Sequence, residues 1–347
     1  MKKILKVLVT GAGSGVGQSI IKSLNLSKLR LEIISSDISL LNAGLYRTKK
    51  SFIVNKVEKK GSLAWYIKFL NKEKIDVLMI GSEYDVSFFS KNKKIIENKT
   101  KCNVCVCDFK TVQIAEDKYL TQEFLKNNNL PYLKTYIPKN FNDAKKKIKK
   151  LKLPVILKSR FGTSSRHVFL IKSLKDLHFY FKFVSKPIIQ EHIGLENDNL
   201  NCEYTCSFFT TKNKKIIGPF VAKRKLVNGT SWIIEVKKVR KIENLIKRIS
   251  KKINNVGSFN IQLRNGKKGP IPFEFNSRFS GTTSVRAHYG FNEPEMYLKN
   301  FIFNKEILNP KIKTGISFRY IEEIFIDNTN VNSLHKKFGE GDIEKWF

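Results

Sequence analysis

The sequence lacks a long apolar run, and this predicts a chain without a membrane-spanning helix. None of its 347 residues belongs to a stretch approaching the roughly 20 apolar residues that cross a bilayer. The opening MKKILKVLVTGAG is a poor secretory signal because Lys6 interrupts its apolar stretch, so we interpret it as a first strand that leads into a turn. The length permits two or three domains.

Acidic residues are also scarce. There are 30 Asp and Glu residues against 65 Lys and Arg, which gives a formal net charge of +35. Such a charge would suit a nucleic-acid partner, because lysine and arginine displace counterions from phosphate backbones. The lysines are scattered through every segment, however, and we find no reading helix, zinc finger or RNA-stacking motif. We expect a composition bias and no specific nucleic-acid partner; a nucleic-acid-binding protein is the weakest alternative.

Cysteine is sparse and odd in number. Five cysteines fit a reducing cytoplasm better than a disulfide framework, so we expect a cytoplasmic protein. Cys102, Cys105 and Cys107 lie in CNVCVC, where valines alternate with the thiols as in a buried strand. No partnering histidine or second CxxC pair is nearby, which favours a structural strand over a metal site.

The chain alternates strand and helix patterns at its beginning. KVLVTGAGSGVG, QSIIKSLNLS, LEIISSD and IDVLMIG read as strand, glycine turn, helix and two further strands, which indicates a parallel α/β sheet. TVQIAEDKYLTQEFLKNNNLPYL reads as one helix, with a domain boundary near residue 112. Mixed helices and strands follow, then a hairpin whose turn signal is Asn265-Gly266, and a basic tail from about residue 311.

A glycine-rich turn, Thr10 to Gly17, offers one functional hypothesis. With Asp37 after the next strand, it would suit a dinucleotide pyrophosphate at a helix N-terminus, as in short-chain dehydrogenases and epimerases. That class also needs a catalytic Tyr-xxx-Lys, and the only match runs from Tyr46 to Lys50, too close to the turn. A tight strand-to-helix turn is the favoured interpretation. An NAD(P)-dependent enzyme remains the main alternative.

The hairpin offers a stronger hypothesis. PFEFNSRFSG places Glu274, Asn276 and Arg278 at alternate positions, and alternate residues of a strand share one face. We expect Phe273 and Phe275 to point the other way. Gln262 of the preceding strand would join the polar face. Oxygen ligands of this kind suit Mg²⁺, and an arginine beside them would hold a phosphoryl group.

A second cluster lies after the apolar run PVIL. Lys158 ends that run, and a lone buried lysine favours an anionic partner such as a phosphate. The stretch FGTSSRH follows, in which backbone N–H groups and the hydroxyls of Thr163, Ser164 and Ser165 could cover phosphates.

These motifs together resemble the ATP-grasp family, and in particular one ATP-binding half of the carbamoyl phosphate synthetase large chain. The resemblance covers residues 1 to about 305, through EDKYLTQEFLKNNNLP, PVILKSRFGTSS, IIQEHIG, CEYTCSFF and GSFNIQLRNG with GPIPFEFNSRFSG. It implies a Rossmann-like amino-terminal parallel-sheet domain over 1–112. A two-lobed ATP-grasp domain would follow over 113–310, with lobes of about 113–190 and 191–310, and then an extension over 311–347.

The resemblance also assigns roles by position. It implies ATP phosphate contacts for Lys118 and Lys158, with Ser164 and Ser165 covering the phosphates. Glu191 would lie at the adenine-binding connection, and Glu203 would accept from the ribose hydroxyls. The implied magnesium ligands, which Mn²⁺ could share, are Gln262, Glu274 and Asn276. Arg278 would act with Lys158 as a catalytic cation beside the transferred phosphate.

The implied activity is an ADP-forming carboxylate-amine ligase. ATP would phosphorylate a small carboxylate to an acyl phosphate, which an amine would attack to form an amide-type bond. Candidates for binding acidic substrates are Lys223, Arg224 and Lys225, or the backbone after Arg278. A homodimer is compatible with this class. The chain departs from the family in having one glycine, Gly162, in the phosphate-covering loop and Ser277 where proline is common.

Overall fold

The computed structural model describes residues 4–162, 167–193 and 203–326. The first sheet along the chain has five strands, all parallel. The strand order is β3-β2-β1-β4-β5. The central strands are apolar and buried because helices cover both faces, which is the usual setting of a parallel sheet. The predicted parallel α/β unit is thus confirmed. Its elements are β1 Leu5–Val9, α1 Gly15–Asn25, β2 Leu31–Asp37, a 3₁₀ helix Ala43–Arg47, β3 Lys50–Ile53, α2 Ser62–Glu73, β4 Val77–Met79, α3 Glu83–Lys99 and β5 Asn103–Cys105.

The glycine turn between β1 and α1 is closely covered by other backbone segments. A Cβ atom on Gly44, in the 3₁₀ helix, would lie 1.8 Å from the carbonyl oxygen of Ala12, and one on Gly17 would lie 2.2 Å from that of Gly11. The Asp37 carboxylate accepts a hydrogen bond of 2.8 Å from the N–H of Gly13. These close approaches account for the glycines and support the tight-turn interpretation.

The predicted single helix after the first sheet is two helices. Helix α4 spans Phe109–Glu116 and α5 spans Lys118–Asn127. Asp117 separates them because its extended backbone ends α4 while its carboxylate accepts from the N–H groups of Tyr119 and Leu120, as an N-cap does. The break places Lys118 at the first position of α5. Residue 112 lies inside α4, and the domain limits proposed from the sequence remain predictions.

A four-stranded antiparallel sheet follows, in the order β6-β9-β7-β8. Its buried face packs on α6 through an apolar cluster that includes Ile148, Val155, Leu157 and Ile189. The elements are β6 Thr135–Tyr136, α6 Phe141–Leu151, β7 Val155–Ser159, β8 Val168–Ile171, α7 Leu174–Tyr180, a 3₁₀ helix Phe181–Phe183 and β9 Pro187–Glu191.

The largest sheet has six strands in the order β14-β13-β10-β11-β12-β15. Neighbouring strands are antiparallel, and β15 brings part of the predicted tail onto the edge of this sheet. The elements are β10 Glu203–Thr210, β11 Ile216–Val227, β12 Thr230–Val236, α8 Arg240–Ser250, β13 Gly257–Gly266, β14 Gly269–Asn276, α9 Thr283–His288, α10 Glu293–Tyr297, a π-helix Leu298–Ile302 and β15 Gly315–Phe318.

The predicted hairpin is β13 and β14. Gly266 pairs with Gly269, so the turn is formed by Lys267 and Lys268 and not by Asn265-Gly266. One core cluster lies beneath the hairpin and α8, and it contains Phe259, Ile261, Leu263 and Phe275 as expected for the apolar face. A separate apolar cluster joins β1 and α1 to β11 and β12 of the six-stranded sheet. Among the described helices, none has the length and apolar character needed to cross a membrane.

Candidate active site

A cavity lies between the four-stranded sheet and the six-stranded sheet, and we call it the first cavity. It brings together six residues that the sequence singled out from segments far apart in the chain. They are Lys118, Lys158, Glu191, Glu203, Gln262 and Glu274. The cavity is further lined by apolar side chains, among them Leu133, Ile156, Ile193, Leu226 and Phe273. A few charged groups among apolar walls are typical of a ligand site.

Lys158 is the most unusual group of the first cavity. It lies near the end of β7 with 5% of its surface exposed, and none of the described carboxylates is within 4 Å of its ammonium. Burial, with a smaller effect from Lys118, lowers the pKa of Lys158 to about 7, although Glu274 acts in the opposite direction. Its Nζ lies 5.8 Å from the centre of the Phe273 ring. A buried cation of this kind suits an anionic ligand.

Lys118 is positioned by the break between α4 and α5. Its side chain is buried, and its ammonium donates a hydrogen bond to the carbonyl oxygen of Gly162 in the loop after β7. Arg160 supports this junction because its guanidinium binds the Asp117 carboxylate, with a shortest distance of 2.6 Å. Lys118 and Lys158 therefore present two cations to one cavity.

Glu203 lies in an ion-pair network at the other side of the first cavity. Its carboxylate is 2.6 Å from the guanidinium of Arg224 and 3.2 Å from that of Arg264. Arg224 also donates to the side-chain oxygen of Gln262 at 2.7 Å. Glu203 is thus in the cavity, as the resemblance implies, but both it and Gln262 already accept from an arginine. A ligand that used either oxygen would displace that guanidinium.

The proposed metal ligands lie on adjacent positions of the hairpin. Gln262 pairs with Glu274 across the two strands, and Asn276 follows two residues later on the same strand. Glu274 accepts a hydrogen bond of 3.1 Å from the Asn276 amide, and none of the described lysines or arginines is within 4 Å of it. One unpaired carboxylate flanked by two amide side chains fits Mg²⁺, which keeps waters and takes phosphate oxygens as further ligands.

The expected alternation fails at Phe273. The pairing shifts between Gln262 and Leu263, where a β-bulge leaves Phe273 without a partner on the neighbouring strand. Phe273 therefore lines the first cavity beside Lys158. Phe275 points into the core as predicted, with 1% of its surface exposed. The prediction for Phe273 was wrong because a bulge changes which side of the sheet a residue faces.

Arg278 faces a second cavity that adjoins the first. The two cavities share Lys118, Phe161, Gly162 and Glu274. In the second cavity Arg278 forms an ion pair of 3.0 Å with Glu83, at the start of α3, and donates to the carbonyl oxygen of Phe279 at 2.9 Å. Asn276 also lines this second cavity. The catalytic arginine predicted from the sequence is therefore next to the proposed phosphate site and not within the first cavity.

The loop after Arg278 is held by a fully buried ion pair. Arg286 and Glu293 are 3.0 Å apart, and neither side chain is exposed. Arg286 donates to the hydroxyls of Ser280 at 2.7 Å and Thr282 at 3.1 Å, and also to the side-chain oxygen of Asn260. Because a buried ion pair needs such hydrogen bonds to persist, this network fixes the loop relative to β13.

The other residues predicted from the sequence are Glu191, the serines of the loop after β7, and Lys225. Glu191, at the end of β9, lines the first cavity and exchanges hydrogen bonds with the backbone of Lys134. Ser164 and Ser165 lie outside the described residues, as does Thr163. Lys225 is exposed and points away from Arg224 along the strand.

The cysteine stretch contains the predicted strand. Asn103–Cys105 is β5, and burial raises the pKa of the Cys107 thiol to about 12. In the part of the chain that the structure describes, no three His, Cys, Asp or Glu side chains form a metal cluster.

Sequence analysis missed several residues of the two cavities. Arg264 lines the first cavity and was not predicted, although it lies two positions after Gln262 and so on the same side of the strand. Gln190 and His192 flank Glu191 in the first cavity. Glu83 and Glu116 of the second cavity carried no sequence signal, because they reach the hairpin only through the packing of α3 and α4.

Two ATP-grasp family models match adjoining parts of the chain. One, described as a RimK-like ATP-grasp domain, matches residues 115–206. The other, described as ATP-grasp in the biosynthetic pathway with Ter operon, matches residues 200–324. No curated protein matches the sequence.

Solved structures share the fold at low sequence identity. N5-carboxyaminoimidazole synthetase from Staphylococcus aureus, complexed with ADP, has a TM-score of 0.73 and 17% identity, covering 92% of this chain and 83% of that one. The biotin carboxylase domain of Hydrogenobacter thermophilus 2-oxoglutarate carboxylase has a TM-score of 0.70 and 12% identity, covering 91% and 74%. Carboxyaminoimidazole ribonucleotide synthase from Aspergillus clavatus, complexed with ATP, has a TM-score of 0.69 and 13% identity, covering 90% and 81%.

Proposed function

Because this chain belongs to the ATP-grasp family, we propose that it is an ATP- and Mg²⁺-dependent ligase that joins a small carboxylate to an amine and releases ADP. The first cavity would hold the nucleotide between the two antiparallel sheets. The carboxylate would be activated as an acyl phosphate at the junction of the first and second cavities.

The observation that carries this proposal is the pair of buried cations beside an unpaired carboxylate. Lys158 and Lys118 line the same cavity as Glu274, and Lys158 is without an acidic partner among the described residues. Phosphate oxygens would supply the missing negative charge, and a metal ion would let Glu274 approach the same phosphates. Without an anionic ligand, burial disfavours the charged form of Lys158 and lowers its pKa to about 7, and phosphate oxygens would restore that charged form.

Three residues of the hairpin would hold the metal. Glu274 and Asn276 would bind it from β14 and Gln262 from β13, once Arg224 leaves the Gln262 oxygen. When bound, Mg²⁺ neutralises phosphate charge and orients the terminal phosphate.

The protein's own cations would stabilise the transferring phosphoryl group. Lys158 lines the first cavity, Arg278 lines the second, and Lys118 lines both. Charge on the phosphoryl oxygens would then be met from both sides in the transition state. Apolar walls such as Ile156 and Leu226 would limit access of water to the nucleotide.

The structural relatives support a nucleotide in this fold. The structure of the Staphylococcus aureus synthetase is of its complex with ADP, and that of the Hydrogenobacter thermophilus domain is of its complex with MgADP, ADP and bicarbonate. At 17% and 12% identity these proteins support the fold and the proposal that it holds a nucleotide.

A substrate screen tests the proposal. The protein is incubated with MgATP and pools of carboxylates and amines, and the release of ADP and phosphate is measured. We expect release that needs one carboxylate and one amine together. Repeating the reaction with an ¹⁸O-labelled carboxylate should transfer one ¹⁸O atom to the released phosphate. ADP formation without ¹⁸O transfer would contradict the acyl phosphate.

A further inference from the structure

The second cavity is large enough for a small metabolite and opens beside the proposed phosphoryl-transfer site. Its volume is about 290 Å³, and it lies between α3, the junction of α4 and α5, and the end of β14. Because it shares Lys118 and Glu274 with the first cavity, a molecule bound in it would face the terminal phosphate of a nucleotide in the first.

The charge of the second cavity is unusual for this protein. Beyond the residues shared with the first cavity, it contains two carboxylates, Glu83 and Glu116, and one cation, Arg278. The whole chain has 65 basic and 30 acidic residues, so its surface composition would favour the reverse. Arg278 is paired with Glu83 at 3.0 Å, which leaves Glu116 as the unbalanced charge.

Glu116 is half-buried and has no cationic partner among the described residues. Its carboxylate accepts a hydrogen bond from the hydroxyl of Ser87, and none of the described lysine or arginine nitrogens is within 4 Å. Burial, with a smaller effect from Glu83, raises the pKa of Glu116 above its usual range, while Ser87 and Arg278 act in the opposite direction. A ligand cation would relieve that desolvation.

The second cavity also has apolar and aromatic lining residues, beside the polar side chains of Ser87, Asn276 and Ser277. Of the apolar and aromatic residues, Val86, Ala115 and Phe275 are buried, whereas Phe161 and Tyr84 have 40% and 72% of their surfaces exposed. Such walls would accept the carbon skeleton of a small molecule, with the two carboxylates directed at its charged end.

We propose that the second cavity binds the amine substrate as an ammonium ion, with Glu116 as its principal partner and Glu83 as the second. This assignment rests on the ligase function proposed above. It names the substrate class of the second cavity, a primary amine that is cationic at neutral pH and carries a short apolar or polar skeleton.

Glu116 would also be the base that frees the amine. An ammonium nitrogen has no lone pair, so it must first give a proton to the Glu116 carboxylate, which becomes a carboxylic acid. The neutral amine then forms a C–N bond to the acyl carbon while the C–O bond to phosphate breaks. The departing phosphate takes the second proton from nitrogen, which leaves an amide and inorganic phosphate.

Binding experiments test the assignment without knowledge of the reaction. Ammonium chloride, ethylamine, ethanolamine, putrescine and the twenty amino acids are titrated into the full chain by calorimetry, with and without MgADP. Ethanol and acetate serve as neutral and anionic comparisons. We expect at least one amine to bind, and Glu116→Gln to weaken that binding by about tenfold or more while the MgADP affinity changes less than about twofold. Glu58→Gln, an exposed site outside both cavities, should change neither.

The pH dependence of amine binding tests whether Glu116 binds the amine or has only a structural role. Ser87→Ala removes the hydroxyl that stabilises the charged form of Glu116, so the pH below which amine binding is lost should move upward. No shift in that pH would contradict the role of Glu116, as would unchanged amine affinity in Glu116→Gln. Binding of acetate in place of every amine would show that Arg278 holds a carboxylate there.

The proposed function can fail separately. If MgADP does not bind but an amine binds in a Glu116-dependent way, the amine site is correct and the ligase proposal is wrong. If no amine of the panel binds with or without MgADP, the assignment of the second cavity is wrong.

Discussion

The lowered pKa of Lys158 predicts that nucleotide binding takes up a proton. In the unliganded protein this lysine has a pKa of about 7 because it is buried without an acidic partner. Phosphate oxygens would stabilise its charged form and raise that pKa toward the ordinary value of 10.5. Replacing Lys158 by arginine removes the effect, because a guanidinium remains charged at every accessible pH.

The size of the effect follows from the titration of one group. At pH 8, a lysine with a pKa near 7 is about one-tenth protonated, and in the complex it would be almost fully protonated. The wild-type protein should therefore take up about 0.9 proton per nucleotide at pH 8 from this residue. At pH 6 the same lysine is already charged, so the uptake should fall to about 0.1 proton.

The assay is calorimetric titration with MgADP in two buffers of different ionisation enthalpy. The difference in observed heat divided by the difference in ionisation enthalpy gives the number of protons taken up. Lys158→Arg should reduce that number by most of one proton at pH 8, and its thermal unfolding would show that it is folded. Equal uptake by the wild type and Lys158→Arg would refute a neutral Lys158 in the empty cavity.

The same shift affects the stability of the unliganded protein. Because the folded-state pKa lies below the unfolded value of 10.5, the unfolded chain binds more protons between pH 7 and 10.5. The contribution of Lys158 to the free energy of unfolding should therefore rise with pH, by about 1.4 kcal/mol per pH unit between about pH 8 and pH 10. Lys158→Met should lack this contribution, which comparison of urea denaturation at pH 7 and pH 9 would detect.

Three further predictions concern the hairpin and the overall charge. Glu274→Gln should lower ATP-dependent turnover by about 10²–10³-fold with little loss of stability. The control Glu58→Gln should leave turnover unchanged. A Glu274→Gln protein that is fully active or mainly unfolded would show that Glu274 has a structural role. Phe275→Ala should lower the free energy of unfolding, measured by urea denaturation, by about 3–5 kcal/mol because Phe275 is buried. Phe273→Ala should lower it much less and should weaken MgADP binding. Equal losses of stability in the two variants would contradict the bulge. Duplex DNA should bind weakly, without sequence preference, and release as salt rises; site-specific binding at physiological salt would support a nucleic-acid function.

The sequence was sufficient to predict the groups that depend on local periodicity. Gln262, Glu274 and Asn276 lie together because strands alternate, and Lys158 lies in the cavity because an apolar strand carries it there. Phe273 shows where the pattern fails, since nothing in PFEFN indicates the shift of pairing with β13. The break at Asp117 has a local cause in its cap, but the surrounding helix pattern concealed it.

Several contacts between distant segments were not predicted. Glu83 and Arg278 form an ion pair although they lie far apart in the chain, so no short window contains both. Arg224 was only one of several candidates for binding acidic substrates, and its contacts with Glu203 and Gln262 were not predicted. Its partners are fixed by the pairing of β10 with β11 and β13, which depends on the whole sheet.

The central claim is that the first cavity binds a magnesium nucleotide. The most direct measurement is the thermal unfolding of the wild-type protein with MgADP and, separately, with NADPH. Binding to the folded state alone stabilises it by about 2.7 kcal/mol at a hundredfold excess over the dissociation constant. We predict that MgADP raises the unfolding temperature by several degrees and that NADPH leaves it unchanged. A rise with NADPH and none with MgADP would contradict the account and favour the dinucleotide interpretation of the glycine turn.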